Sequence, residues 1–170
     1  SVILPDSFDD EYIQYINEIK NFKKISEKKR EILHDVIKCV AIDHNTVFID
    51  NETIDNINIR NATILGMQNA YKGLNVIPDM LYVDGDVYKP VQDEKFKCIP
   101  QGDAKVLAIS AASIIAKVAR DNYCKTVMHQ QYPNYEWNKN KAYGTKRHYE
   151  SIKKYGITPF HRKSFNLHMF

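Results

Sequence analysis

No apolar run in this sequence is long enough to cross a bilayer as a helix. The opening residues, Ser1-Val2-Ile3-Leu4-Pro5, carry no basic segment ahead of them, so they do not read as a secretory signal. The sequence also begins without Met and is expected to start inside a longer coding sequence. Only three cysteines are present, Cys39, Cys98 and Cys124, at unrelated spacings. That excludes a zinc-finger spacing and a disulfide frame, and reduced thiols in a cytoplasmic protein are the expectation. Repeats, low-complexity segments and long linkers are lacking as well. The 170 residues are therefore expected to form one domain with a sizeable core, with residues 130–170 as a basic extension of it.

Apolar residues make up 44% and charged residues 26%, which is ordinary for a globular chain. The net charge is only +3, yet it is unevenly spread. Between Trp137 and Lys163 stand Lys139, Lys141, Lys146, Arg147, Lys153, Lys154, Arg162 and Lys163, against the single acid Glu150. A second basic run holds Lys20, Lys23, Lys24, Lys28, Lys29 and Arg30. Either run alone reads as a solvated face. Together they favour a phosphate-backbone partner.

Periodicity predicts a helix over 7–20, with Phe8, Tyr12, Ile13, Ile16 and Ile19 on its apolar face. Ser26 is placed to cap a second helix, buried through Ile32, Leu33, Val36 and Ile37. Residues 39–49 alternate as a strand or hairpin. Residues 52–72 read as one long helix ended by Gly73. Its stripe is Ile54, Ile57, Ile64 and Leu65, and Ile59, Ala62 and Met67 fall off it, so burial on more than one side is expected. A buried strand runs over 80–83 into Asp84, and a short one over 97–99. A helix over 106–129 ends before Pro133, and a basic helix covers 146–155. Strands separated by helices predict an α/β domain with a mixed sheet, its first strand truncated and its C-terminal part helical.

Two aspartates stand out. Asp84 ends an apolar strand, and strand ends are where open α/β sheets place their sites. Asp103 precedes the small-residue run Ser110-Ala111-Ala112-Ser113, which suits tight helix packing. Two carboxylates on rigid elements match what Mg²⁺ asks of a protein. Each also has an ordinary reading: Asp-Gly is a turn pair, and an aspartate ahead of a helix is an N-cap. The same holds elsewhere. Lys105 and Lys117 suit phosphate contacts, or in Lys117 a lysine snorkelling from an apolar helix. Asp121 follows Arg120 and reads as half of a structural ion pair. Tyr143 is a core aromatic or a stacking platform. His161 reads first as structural, then as a phosphate contact or proton carrier. Trp137 has no assigned role.

Seven segments in order resemble type 2 ribonuclease H, and they are spread over nearly the whole chain. They are Lys23-Lys-Ile-Ser-Glu-Lys-Lys-Arg30, Ile54-Asp-Asn-Ile-Asn-Ile-Arg-Asn-Ala-Thr63, Val83-Asp84-Gly85, Gly102-Asp103-Ala104-Lys105, Ile109 through Asp121, Tyr143-Gly144-Thr145 and His161-Arg162-Lys163-Ser164-Phe165. The resemblance implies a ribonuclease H-like fold. It implies a monomeric endonuclease that cuts the RNA strand of RNA–DNA hybrids and nicks duplex DNA at embedded ribonucleotides, using four carboxylates and two Mg²⁺ or Mn²⁺ ions. Asp84 and Asp103 match the third and fourth carboxylates. Tyr143 matches the tyrosine that stacks on the ribonucleotide sugar. Lys23, Lys105, Lys117, Arg147 and Lys163 are the expected nucleic-acid contacts.

The sequence departs from the family in three places. Its Asp-Glu-x-Gly-Arg-Gly motif, which holds the first two carboxylates and helps read the 2′-hydroxyl, is not in this sequence. Ser1 to Pro5 resembles the stretch shortly after it. The family's Asp-Ser-Lys-Lys reads Asn21-Phe22-Lys23-Lys24, and Ala142 stands for a glycine before the tyrosine. With two carboxylates in hand, these 170 residues by themselves are expected to be inactive. The alternatives are a hybrid-binding relative that does not cut, and another nuclease or resolvase on the same fold.

Overall fold

The computed structural model describes residues 1–19 and 25–165. Residues 20–24, Lys20, Lys23 and Lys24 among them, lie outside the described residues. The chain forms two compact units, Ser1–Phe48 with Ile64–Val118, and Ile49–Thr63 with Ala119–Phe170. The architecture is mixed α/β, as expected.

In the first unit, β1 (Val2–Ile3) pairs antiparallel with β2 (Asp43–His44). Helix α1 (Asp10–Ile19) begins three residues after the predicted start at 7, and it buries Ile16 and Ile19 while Ile13 stays exposed. Helix α2 (Glu27–Val40) opens at the expected cap, with Ser26 Oγ accepting the Lys29 N–H at 3.2 Å. Such a cap contributes about 1 kcal/mol. The strand or hairpin expected over 39–49 is largely absent. Cys39 and Val40 complete α2, and only two residues pair as β2.

Ile16, Ile19, Leu33 and Ile37 from α1 and α2 pack with Ala111, Ile114, Ile115 and Val118 of α4 (Leu107–Tyr123) into one core. Fully burying each large aliphatic side chain stabilises by roughly 1.5–3 kcal/mol. Ala111, fully buried, lets that helix approach closely. Strand β3 (Leu81–Asp84) runs parallel to β4 (Phe96–Ile99), with Asp84 opposite Ile99.

The helix α3 (Asn51–Lys72) is not continuous. Asn58 leaves the helical region at φ 64°, and its Oδ1 accepts the Asn61 N–H at 3.1 Å, which caps the second segment. Asp50 Oδ1 caps the first segment through the Thr53 N–H at 2.6 Å. The phase break explains why Ile59, Ala62 and Met67 fall off the stripe. Ala62 and Ile64 are buried after the break, and Ile59 is exposed.

In the second unit the helix predicted to run to 129 changes form. A π turn occupies Cys124–Met128, and the short α5 (His129–Gln131) comes after it. With the wider turn both Cys124 and Met128 are buried. A 3₁₀ turn at Pro133–Tyr135 and α6 (Trp137–Asn140) lead to α7 (Lys146–Tyr155), which matches the basic helix expected from sequence. Trp137 is 1% exposed and centres this core with Tyr135, Met128 and Ile152.

Candidate functional site

Asp84 is fixed by the end of β3 and by the turn after β4. Gly85 next to it holds φ +105°, which favours glycine, and its N–H donates to the Ile99 carbonyl at 3.2 Å. The chain then passes Gln101 in the left-handed region at φ 56° and enters a 3₁₀ turn, Gly102–Ala104. The Gly102 N–H donates to Asp84 Oδ1 at 2.8 Å. One backbone bond thus ties the strand-end carboxylate to the residue adjoining Asp103.

A side chain at position 102 would crowd the end of Ile109. A Cβ there would lie 2.5 Å from Ile109 Cδ1 and 3.5 Å from Asp84 Oδ1. Asp103 itself is buried. Its carbonyl accepts the Ser110 hydroxyl at 2.6 Å, and Ser110 also reaches the Val106 carbonyl at 3.1 Å. Ser110 therefore pins the turn as well as permitting close packing. Its role depends on a residue seven positions away and has no local sequence signal. Among the described residues no group of three or more His, Cys, Asp or Glu converges on one point. Asp84 and Asp103 stand on elements joined by the Gly102–Asp84 bond, and a hard cation that keeps several waters and shares its remaining positions with substrate phosphate asks for few protein carboxylates.

The remaining expected contacts divide. Lys105 is exposed and its ammonium donates to the Pro100 carbonyl at 2.6 Å. Lys117 is half-buried on α4. Arg147 is largely exposed and ion-paired with Glu136.

Tyr143 is 53% exposed, so the core reading of it falls. The Arg120 guanidinium covers its ring at 4.8 Å from the centroid. Arg120 also pairs with the buried Asp121 at 3.5 Å, as the sequence suggested. The loop before the tyrosine is left-handed at Lys141 (φ 50°) and Ala142 (φ 57°). Asn140 Oδ1 steadies it by accepting the Ala142 N–H at 2.8 Å, and Thr145 caps α7 behind it.

His161 is structural. It is buried, and its Nδ1 accepts the Thr158 N–H at 2.9 Å. Its ring lies 5.3 Å from that of His148, whose Nδ1 accepts the Trp137 indole N–H at 3.1 Å. Burial, with His161 alongside, lowers His148 to about 4, and burial lowers His161 as well. Lys163 stands on the exposed turn after His161.

The comparisons with known proteins agree on one family. The Ribonuclease HII family profile matches residues 6–168. A Ribonuclease HII from Christiangramia forsetii is 42% identical over 168 residues, which are 98% of this chain and 81% of the relative. A Ribonuclease HII from Endomicrobium trichonymphae is 46% identical over 167 residues, 97% of this chain and 75% of the relative. The crystal structure of the ribonuclease H2 from Pyrococcus horikoshii OT3 is similar in fold, with a TM-score of 0.76 at 23% identity, covering 94% of this chain and 83% of that one.

Proposed function

Because this chain belongs to the ribonuclease HII family, we propose that Asp84 and Asp103 are two of the metal-binding carboxylates of its active site. The family's enzymes are metal-dependent endoribonucleases acting on RNA–DNA hybrids, and this chain belongs to that family. The finer reading is a two-ion site for Mg²⁺ or Mn²⁺, with nicking at ribonucleotides embedded in duplex DNA as a second activity. The observation that supports the carboxylate assignment most is the bond from the Gly102 N–H to Asp84 Oδ1.

When bound there, the ions would supply Lewis-acid activation of a water and charge stabilisation at the leaving 3′ oxygen. The chain's own residues set the frame. Gly102 fixes one oxygen of Asp84 and so sets the direction of the other. Ser110 holds the backbone of Asp103. The two carboxylates bring negative charge to a hard cation whose other positions go to water and phosphate. Tyr143, outward and backed by Arg120, offers a ring face to the ribonucleotide sugar. Lys23, Lys105, Lys117, Arg147 and Lys163 are proposed to meet the phosphate backbone. We also propose that residues 1–170 act as one monomeric domain in the cytoplasm. No helix among the described residues is long and apolar enough to cross a membrane.

Fluorescence anisotropy of a labelled RNA–DNA hybrid, with and without Mn²⁺, tests this. Mn²⁺ is expected to tighten binding by the wild-type chain and to have no such effect in Asp84→Asn. Hybrid binding indifferent to Mn²⁺ would contradict the assignment.

A further inference from the structure

The first turns of α3 send two side chains to a stretch of chain 108 to 110 positions later. Asn51 Nδ2 donates to the carbonyls of Pro159 at 2.8 Å and His161 at 3.3 Å. Asp55 accepts three bonds: the Lys163 N–H at 2.7 Å, the Ser164 N–H at 3.0 Å and the Ser164 hydroxyl at 2.5 Å. These bonds, the Ser164 hydroxyl foremost, hold the Asp55 carboxyl below the usual carboxylate range, so it is ionised at neutral pH.

A carboxylate that bonds two consecutive residues through both oxygens fixes the direction of that backbone as well as its position. The turn it fixes carries charge and a ring. The Arg162 guanidinium stacks 3.7 Å from the Phe165 ring centroid. Lys163 and Phe165 are exposed. A cation beside an aromatic face on a fixed support is how proteins hold a sugar-phosphate strand without reading its sequence.

We propose that the turn from Arg162 to Phe165 is a second nucleic-acid contact, and that Asp55 is its positioning residue. Lys163 is placed for a phosphate and Phe165 for a stacked nucleotide. The inference rests on the nucleic-acid reading above and adds to it an acid that never touches the substrate.

The test is hybrid affinity across a salt series for the wild type, Lys163→Ala, Asp55→Asn and the double variant, with thermal midpoints alongside. Lys163→Ala is expected to lower the slope of log affinity against log salt by about one. Asp55→Asn is expected to lose a similar increment, and the double variant no more than Lys163→Ala. A wild-type slope in either single variant, or summed losses in the double, overturns the proposal. Where Asp55→Asn does not fold, Ser164→Ala removes one of the three bonds; a smaller loss in the same direction is expected, and an unchanged slope overturns it. Every variant is expected to keep the Mn²⁺ dependence of binding. Loss of that dependence in the wild type sinks the metal-site reading instead.

Discussion

The turn that carries Asp103 and the loop that carries Tyr143 are both entered through left-handed backbone, at Gln101 in one and at Lys141 and Ala142 in the other. They are held by opposite means. The carboxylate turn is fixed by polar bonds in a tight space: the Gly102 N–H to Asp84, the Ser110 hydroxyl to the Asp103 carbonyl, and Ile109 packed close over Gly102. The tyrosine loop belongs to a unit whose core is a cluster of rings, Tyr135, Trp137, His148 and His161. Metal ligation needs oxygens placed to a fraction of an ångström, which short directional bonds provide. An outward aromatic needs a stiff base, which close-packed rings provide.

The contrast can be broken at four points. The largest effect is expected from Gly102→Ala. Its Cβ would press on Ile109 at 2.5 Å, and such overpacking costs typically about 1–3 kcal/mol. Chemical denaturation should register that loss, and Mn²⁺-dependent hybrid affinity should fall with it. Wild-type values in both would mean the turn tolerates slack.

Acid separates the two regions next. His148 and His161 are neutral in the fold, while in the unfolded chain each takes a proton near its ordinary pKa of about 6.5. The unfolded state therefore binds more protons below that pH. Stability of the ring-packed unit is present above about 6.5 and falls as pH drops toward the His148 value of about 4. Trp137 is the only tryptophan and hydrogen-bonds His148, so its fluorescence reports this unit. A denaturation midpoint that holds steady between pH 7 and 4.5 would count against the account.

Ser110→Ala should cost about 1–2 kcal/mol, because it leaves the Asp103 carbonyl without its buried donor. The expected signature is a stability loss accompanied by weaker Mn²⁺ dependence, whereas packing alone would move stability only. The smallest effect belongs to Ala142→Gly. Removing the Cβ from a left-handed position relieves about 1 kcal/mol of backbone strain, partly offset by the freer unfolded chain. A slight rise or no change in thermal midpoint is expected, and a marked fall would show that the alanine methyl is needed.

Much of this was legible in the sequence where the signal is local. Asp84 at a strand end, Ser26 as a cap and the basic helix over 146–155 can all be read from neighbouring residues. The break at Asn58 was hidden because the apolar residues on both sides keep helix-like spacing, and only their phase changes. The π turn at Cys124 leaves no breaker behind it. Cys39 and Val40 alternate with their neighbours as a strand would, yet they finish α2. The carboxylates and Tyr143 stand in short segments that can be recognised. Asp55 acts through partners 108 or more positions away, and Ser110 and the buried pair of histidines act through contacts that the turns between them create, so their roles exist only once the fold does. For Arg120 the sequence suggested the ion pair with Asp121 and gave no hint of the Tyr143 ring.

The most direct test of the central claim is the EPR signal of Mn²⁺ mixed with an RNA–DNA hybrid and the wild type, Asp84→Asn or Asp103→Asn. The account predicts Mn²⁺ immobilised by the wild type and released by both substitutions, since the proposed site uses both carboxylates. Binding that survives either substitution unchanged would contradict it.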